Sequence, residues 1–547
     1  MEKQNFSYYE VTKFNSIKEM LDIAVKEAGD KIAFKYKESN GEFVQINYSD
    51  FVKQVDSLGA ALSEIGFSDK HIACIGSNSY KWVLTYLTVL KSAGVYVPID
   101  KELPSKDILH ILNESESSVV FYTKMHEELF MNNVDKLPGV KLYIGFDRSE
   151  DCGNFLSFDK LIEHGKKCDS TKYQSLRSDP NSLKMLVYTS GTTGIAKGVM
   201  LSEHNLVSSI YDGLRVSTVY DTCLSVLPYH HTYEAVSGIL VSLHHHSTIC
   251  INDSLNAVMK NLQIYNPSYI YLVPAFAELF HSRIMKNIRE SGKEKAFGKL
   301  ISLSNFLRKA GIDLRKTLFK SIHKAFGGRL RKIVCGGAPI RPEIGKFFDD
   351  IGISLINGYG ITECSPLVCA NHDMFNDYHT AGIKLPCLDW RIDSPNEEGI
   401  GEICVKGDVV MLGYYKQPEK TAEVLKDGWF YTGDYGFINS KDQLVITGRK
   451  KNIIVLNNGK NIYPEEIEGY VQGIDYVVEV VVRGIIDEKG DESSLLAEVF
   501  LSEEKTAEEV LRDIKKVTHD LPTYKQISKV IIRTEEFDKT TSRKIRR

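Results

Sequence analysis

Two hydrophobic rhythms alternate between residues 50 and 99, and that alternation constrains the fold more than any other feature of the chain. DFVKQVDSLGAALSEI (50–65) sets apolar groups at helical spacing, and HIACIGSN (71–78) reads as a short buried strand ending at a Gly turn. Residues 80–93 give a second helix, and VYVPI (95–99) a second strand. Buried strands separated by helices need crossover connections, which predicts an α/β fold of parallel sheets covered by helices. The 547 residues suffice for roughly three or four structural units. The last hundred read as a separate small α+β unit, with strands at 477–482 (VVEVVV) and 495–501 (LLAEVFL) and helices at 464–472 and 506–520. Its join is placed near TGRKKN (447–452), where Gly448 and a basic cluster interrupt the strand LVIT, dividing the chain into 1–447 and 448–547.

Charge and cysteine content narrow the function classes. Lys plus Arg is 68 and Asp plus Glu is 72, so the formal net charge of −4 removes the global electrostatic case for a nucleic-acid binder. Ten cysteines without a C-x-x-C pair are not a disulfide framework, and a reducing, cytoplasmic setting is expected. The amino terminus, MEKQNFSYYEVTKF, lacks the apolar core of a signal peptide. The longest apolar stretches, 82–97 and 476–486, are broken by Lys91 and by Glu479 with Arg483, which excludes spanning a membrane but not lying against one. Residues 283–332 hold fifteen Lys or Arg against three acids, with apolar residues such as Phe297, Leu300, Leu303 and Phe306 interleaved at helical spacing. A helical hairpin with a solvated basic face is expected there; a surface for anionic lipid, at the inner face of a membrane, or for a polyphosphate-bearing cosubstrate is the sharper alternative. His244, His245 and His246, read as strand residues, would point to alternate faces and make a poor metal site. Cys335, Cys364 and Cys369 are expected in apolar packing.

The chemistry is concentrated in KMLVYTSGTTGIAKG (184–198). An apolar strand, Met185–Tyr188, enters a loop of small hydroxyl residues and glycines closed by Lys197. Such a loop lets backbone N–H and side-chain O–H groups surround phosphate oxygens while the Lys supplies charge. It departs from the common G-x-x-x-x-G-K-[ST] loop, because Ala196 stands where that pattern needs Gly.

YTSGTTGIAKG resembles the signature phosphate loop of the adenylate-forming enzymes: acyl-CoA and aryl-CoA synthetases, peptide-synthetase adenylation domains and luciferases. Their usual Pro is Ala196 here. The resemblance continues in order along nearly the whole chain. It implies phosphate contacts from Thr189, Ser190, Gly191, Thr192, Thr193, Gly194 and Lys197. LPYHHTYE (227–234) resembles the segment beside the acyl carboxylate, with His231 at the key place. GGAPI (336–340) and NGYGITECSP (357–366) resemble the adenine-binding and Y-G-x-T-E segments, which implies nucleotide contacts from Gly337, Ala338, Pro339, Asn357, Gly358, Tyr359 and Gly360. Thr362 would bond the α-phosphate and Glu363 would help hold Mg2+. In GWFYTGDYG, Asp434 falls on the ribose-binding Asp; in GRKKNIIVLNNGKNIYPEEIE, Arg449 falls on the ribose-contacting Arg and Lys451 on the hinge. Gly459 and Lys460 would face the pantetheine arm of CoA. DKTTSRKIRR ends the series with Lys544 at the catalytic Lys, preceded by Arg543 where many relatives have Gly.

The family chemistry implied is attack of a carboxylate on the α-phosphorus of ATP, releasing pyrophosphate, followed by transfer of the acyl group to a thiol such as CoA. Two anions must meet, so cationic and hydrogen-bonding groups have to await the transition state. The basic insertion and FGGRLRKIVCGGAPI (326–340) resemble the long-chain fatty acyl-CoA synthetase branch, which implies a medium- or long-chain fatty acid. An aryl acid, a luciferase-type oxygenase and a non-catalytic acyl-nucleotide sensor or scaffold are the alternatives. With no carrier domain after Lys544, a carrier-protein acceptor would be a separate chain.

Overall fold

The protein is described by a computed structural model at residues 6–38, 40–189, 196–456, 460–486, 492–539, 545 and 547. An eight-stranded sheet is built around His71–Ile75 and Val95–Ile99, which run parallel with Ile72 opposite Tyr96. Val119–Tyr122, Leu142–Gly145 and Phe155–Ser157 extend the parallel order on one side, and Leu183–Thr189 does so on the other. A nine-stranded sheet has its own parallel centre in Thr222–Ser225, Thr248–Ile251, Tyr269–Leu272, Lys332–Cys335 and Ser354–Gly360. The central strands are buried along their length, as strands covered on both faces must be.

The covering helices start where side chains can cap them. Asn47 accepts from the Asp50 N–H at the head of Tyr48–Glu64, and Ser79 accepts from the Trp82 N–H at the head of Tyr80–Lys91. Tyr80–Lys91 is buried around its whole circumference. Its Trp82 meets Tyr86, Tyr96 and Tyr229 with ring centroids 5.2–5.3 Å apart, an aromatic cluster at the centre of the largest hydrophobic core.

The α/β expectation holds, but the sheets are mixed rather than purely parallel. Lys197–Ser202 and Gly413–Tyr414 pair antiparallel at one edge of the eight-stranded sheet. Leu367–Ala370 and Phe43–Asn47 do so in the nine-stranded sheet. Between residues 388 and 449 lies a third, antiparallel sheet that the α/β alternation did not announce. There Leu388–Asp393 pairs with Gly401–Gly407, which pairs with Trp429–Ile438, which in turn pairs with Leu444–Arg449.

The small carboxy-terminal sheet has Val477–Ile486 and Glu492–Leu501 antiparallel, with Ile527–Arg533 joining parallel to the second. Its own core includes Ile467, Val480, Val499 and Ile514. The strand Leu444–Arg449 runs through Gly448, and a 3₁₀ turn, Lys450–Asn452, follows it.

Pro274–Glu290 and Glu294–Lys309 form the expected helical hairpin. Several cations of the basic segment 283–332 are taken up in structural ion pairs: Arg289 with Asp475, Arg308 and Arg315 with Asp349, and the buried Lys332 with Asp373. The three consecutive histidines are not on a strand: His244 ends a short helix and His246 is in the left-handed region at φ 54°. His244 is buried, bonded through Nε2 to the Thr12 carbonyl at 2.9 Å, and desolvation lowers its pKa to about 4. Cys335, Cys364 and Cys369 are buried free thiols, as expected.

Candidate active site

The carboxyl ends of parallel strands are where open α/β sheets gather loops and ligands. In the nine-stranded sheet these ends carry Cys335-Gly336-Gly337 and Gly358-Tyr359-Gly360. Gly337 has φ +85°, and a Cβ on Gly360 would lie 1.9 Å from the Pro366 carbonyl oxygen, so both turns demand glycine. Ala338 and Pro339 are exposed beside them, and Asn357 is fixed by donating Nδ2–H to the Thr380 carbonyl at 3.1 Å.

Tyr359 is the pivot of this corner. Its buried hydroxyl donates to Asp434 Oδ2 at 2.6 Å, while Arg449 Nε meets Oδ1 of the same carboxylate at 2.9 Å. Asp434 and Arg449 are direct partners on the antiparallel strands Trp429–Ile438 and Leu444–Arg449, so the ladder register itself sets the ion pair. Desolvation and the Asp434 charge push the Tyr359 phenol far up, so it remains a donor. Glu402 secures the neighbouring turn, accepting from the Gly433 N–H at 3.1 Å and from Lys450 Nζ at 2.6 Å. Glu402 is a residue that the sequence motifs did not single out. Lys451 follows on the exposed turn, where desolvation and the cations Arg449 and Arg547 lower its pKa.

A second constellation joins the phosphate loop to the acidic motif. Thr189 and Lys197 face each other across the antiparallel hairpin that brackets the loop. Lys197 Nζ lies 4.9 Å from the centroid of the Tyr414 ring, and the Tyr414 hydroxyl donates to Glu363 Oε1 at 2.9 Å. Glu363 and Thr362 share the 3₁₀ turn Thr362–Cys364. Tyr414 was also missed; its signal was weak, because the two-residue strand Gly413–Tyr414 gains meaning only by pairing with Val199 and Met200. Ser190, Gly191, Thr192, Thr193, Gly194, Gly459 and Lys544 lie outside the described residues. Lys460 is exposed, its ammonium 5.9 Å from the Tyr524 ring centroid.

The third part is a cavity. It is lined by Gly336, Gly337 and Tyr359 together with Val219, Tyr233, Val241, Val334 and Leu367; Ser209, Ser217 and Ser237 add hydroxyl groups to those of its tyrosines, and none of its lining side chains among the described residues is charged. One wall is a π-helix, Tyr233–Leu240, a wide-turn conformation that often accompanies functional sites. Behind that wall Glu234 is fully buried, accepting from Ser225 Oγ, and desolvation raises its pKa to about 8. His231 lies just before the π-helix, its ring tilted against that of His230 with centroids 4.5 Å apart, and His230 Nε2 is 3.6 Å from Asp100 at the end of Val95–Ile99. Both sheets therefore deliver strand ends to one cleft.

Residues 21–415 match the family of AMP-binding enzymes. The chain belongs to that family. Among its relatives, human "Long-chain-fatty-acid--CoA ligase 1" is 29% identical over 80% of this chain and 67% of its own length. "Long-chain-fatty-acid--CoA ligase 5" of Rattus norvegicus is 27% identical over 94% of this chain and 83% of its own. The family fold extends to the anthranilate CoA ligase AuaEII, solved with anthranoyl-AMP. That structure has a TM-score of 0.79 and 17% identity, and the similarity covers 99% of this chain and 96% of the other. The AMP-binding match ends at Tyr415, so Asp434 and Arg449 lie beyond it and rest on the geometry described above.

Proposed function

We propose that this chain activates a medium- or long-chain fatty acid with ATP, forming acyl-AMP and pyrophosphate, and then transfers the acyl group to CoA. The observation that carries the substrate class is the cavity beside Tyr359, which has no charged lining group among the described residues. An amino-acid substrate would need a carboxylate for its ammonium group, whereas a methylene chain needs only apolar wall. The names of the relatives at 27–29% identity support the same class.

In this reading the Asp434 carboxylate accepts from the ribose hydroxyls, held in place by Arg449, and Tyr359 packs against the adenine. Thr362 donates to the α-phosphate, and Lys197 with the loop from Thr189 to Gly194 receives the departing pyrophosphate. His231 faces the acyl carboxylate, and Lys544 bridges that carboxylate and the α-phosphate. Glu363 suits a hard cation: it belongs to no three-donor cluster among the described residues, and one carboxylate completed by water and phosphate oxygens is a donor set typical of Mg2+. Mg2+ held there would neutralise phosphate charge. The carboxy-terminal unit beyond Lys451 turns at that residue, which brings Gly459 and Lys460 to the pantetheine arm for transfer to the thiol.

The hairpin adds a proposal about location. No described helix is long and apolar enough to cross a membrane. Yet Leu300, Leu303 and Phe306 are exposed on Glu294–Lys309, Phe306 at 71%, next to Lys295, Lys299 and Lys309. That combination suits peripheral contact with anionic lipid.

The test of the activity is acid-dependent ATP–pyrophosphate exchange without CoA, across acids from acetate to palmitate plus benzoate and amino acids. Exchange that peaks with a fatty acid and is lost in Lys544→Ala supports the proposal, and added CoA should then yield acyl-CoA. A peak with benzoate would assign an aryl acid, and no exchange despite ATP binding would leave a sensor or scaffold. Lys451→Pro should spare adenylation and impair thioester transfer; equal loss of both half-reactions would remove the hinge assignment.

A further inference from the structure

Far along the surface from the nucleotide corner, Glu64, His164 and Cys168 bring a carboxylate, an imidazole and a thiol together, one ligand atom from each lying within 4.8 Å of the others. The Cys168 thiol donates to Glu64 Oε2, and His164 Nε2 lies 3.0 Å from that same oxygen. His164 is in the last turn of the helix Phe158–Gly165, and Cys168 stands four residues further on, its Sγ 3.4 Å from the His164 carbonyl oxygen. Cys168 lies in the bend just beyond the helix end, and this turn folds its thiol back over His164.

The third donor is held by packing. Glu64 is the last residue of Tyr48–Glu64, and the two helices touch backbone to backbone: a Cβ on Gly165 would lie 1.9 Å from the Ser57 carbonyl oxygen and 3.2 Å from Ala61 Cβ. Both helices end at this point, and the dipole at a helix carboxyl end favours positive charge. The donors border an open cavity of about 480 Å³ that leaves room for a water ligand. Lys167, Lys172 and Asp169 also line that cavity, and with Glu64 the two carboxylates balance the two ammonium groups, so charge alone gives a cation little advantage; the thiol and imidazole supply the selectivity, and they favour a soft or borderline metal over Mg2+.

We propose that Glu64, His164 and Cys168 bind one divalent cation of the zinc class, with water as the fourth ligand. Binding forms a metal–sulfur bond and releases the Cys168 thiol proton to solvent, with no change of oxidation state.

The test is titration of the full-length chelator-treated protein with Zn2+ by calorimetry, and with Co2+ by absorption. One equivalent of Zn2+ should bind to the wild type. Affinity should fall at least about tenfold in Cys168→Ala and in His164→Ala. The intense thiolate-to-Co2+ band should vanish in Cys168→Ala, and Zn2+ should raise the unfolding temperature of the wild type only. Glu64→Gln, which keeps the side-chain volume, should weaken binding without unfolding the protein. Acid-dependent pyrophosphate exchange should stay unchanged in Cys168→Ala, so this proposal and the proposed activity fail separately. No Zn2+ uptake by the wild type, or equal uptake by both alanine variants, would overturn the site.

Discussion

The two sides of the cleft are built on opposite principles. The side proposed to take the nucleotide is polar and already assembled: Tyr359 and Arg449 are both bonded to Asp434, and Tyr414 to Glu363. The side proposed to take the acyl chain is apolar, walled by a π-helix and by backbone, with Gly213 and Gly336 among its lining residues. Polar groups cannot be left waiting in a buried corner without partners, so a site for a charged ligand satisfies itself first and trades bonds on binding. An apolar wall makes no such demand, and shape alone sets what it accepts.

Substitutions on the two sides should therefore fail in different ways. The largest effect is expected from Asp434→Ala, which removes the carboxylate and takes the shared acceptor from the buried Tyr359 hydroxyl and the half-exposed Arg449 guanidinium. Loss of hydrogen bonds to a charged group should lower kcat/KM for ATP by roughly 100-fold or more. Fatty-acid chain preference should not change; a shifted preference in pyrophosphate exchange would break the division. Gly213→Leu tests the converse. A Cβ there would meet Leu367 Cδ2 at 3.4 Å, so the larger side chain fills the cavity. Exchange with palmitate should fall about tenfold relative to a short acid, the scale of a few misplaced methylenes, while KM for ATP stays constant. Tyr414→Phe removes a single hydrogen bond to Glu363 but keeps the ring under Lys197. KM for ATP should rise roughly fivefold, without effect on acyl preference.

The smallest effect on activity, and the most informative for stability, is expected from Glu234→Gln. Burial raises the folded-state pKa of Glu234 to about 8 from its ordinary value of 4.5. Between those values the folded chain holds a proton that the unfolded chain has lost. This contribution to stability is complete below pH 4.5 and drains away as the pH climbs to about 8. Glu234→Gln should remove that part of the decline. Unfolding temperatures compared at pH 5 and pH 8.5 would show it, and an unchanged slope would mean that Glu234 is ionised in the folded protein.

The sequence pattern disclosed the parts whose structure is local. Residues 95–99 alternate and cluster as a buried strand because both faces of that strand are covered, and Val95–Ile99 is where the structure has it. The helix expected over 50–65 is Tyr48–Glu64. What stayed hidden depends on pairing between distant segments. The antiparallel sheet of residues 388–449 has strands whose exposure varies irregularly, so neither rhythm announces it. Tyr414 acquires its place between Lys197 and Glu363 only through the short pairing with Lys197–Ser202. The π-helix leaves no mark in hydropathy, since Tyr233–Leu240 is apolar enough for any helix. Glu64 is a hundred residues from His164, and only the close approach at Gly165 brings them together. The histidine run misled for a related reason: without its contacts, His244 could be read on a strand, but it belongs to the end of a helix bonded to Thr12.

The position of Arg449 has a mechanical consequence. It is the last residue of Leu444–Arg449, laddered to Asp434, and the next residue, Lys450, is tied to Glu402 of the same sheet. Under rotation about Lys451, each atom travels an arc proportional to its distance from the axis. Arg449 and Lys450 sit at nearly zero radius, anchored on the stationary side, while the sheet of Val477–Ile486 lies on the long arm of the lever. If the small unit turns at Lys451 as proposed, one guanidinium would keep hold of the Asp434 carboxylate through the full swing, and the protein would exchange one face of its small unit for another without letting go of the nucleotide.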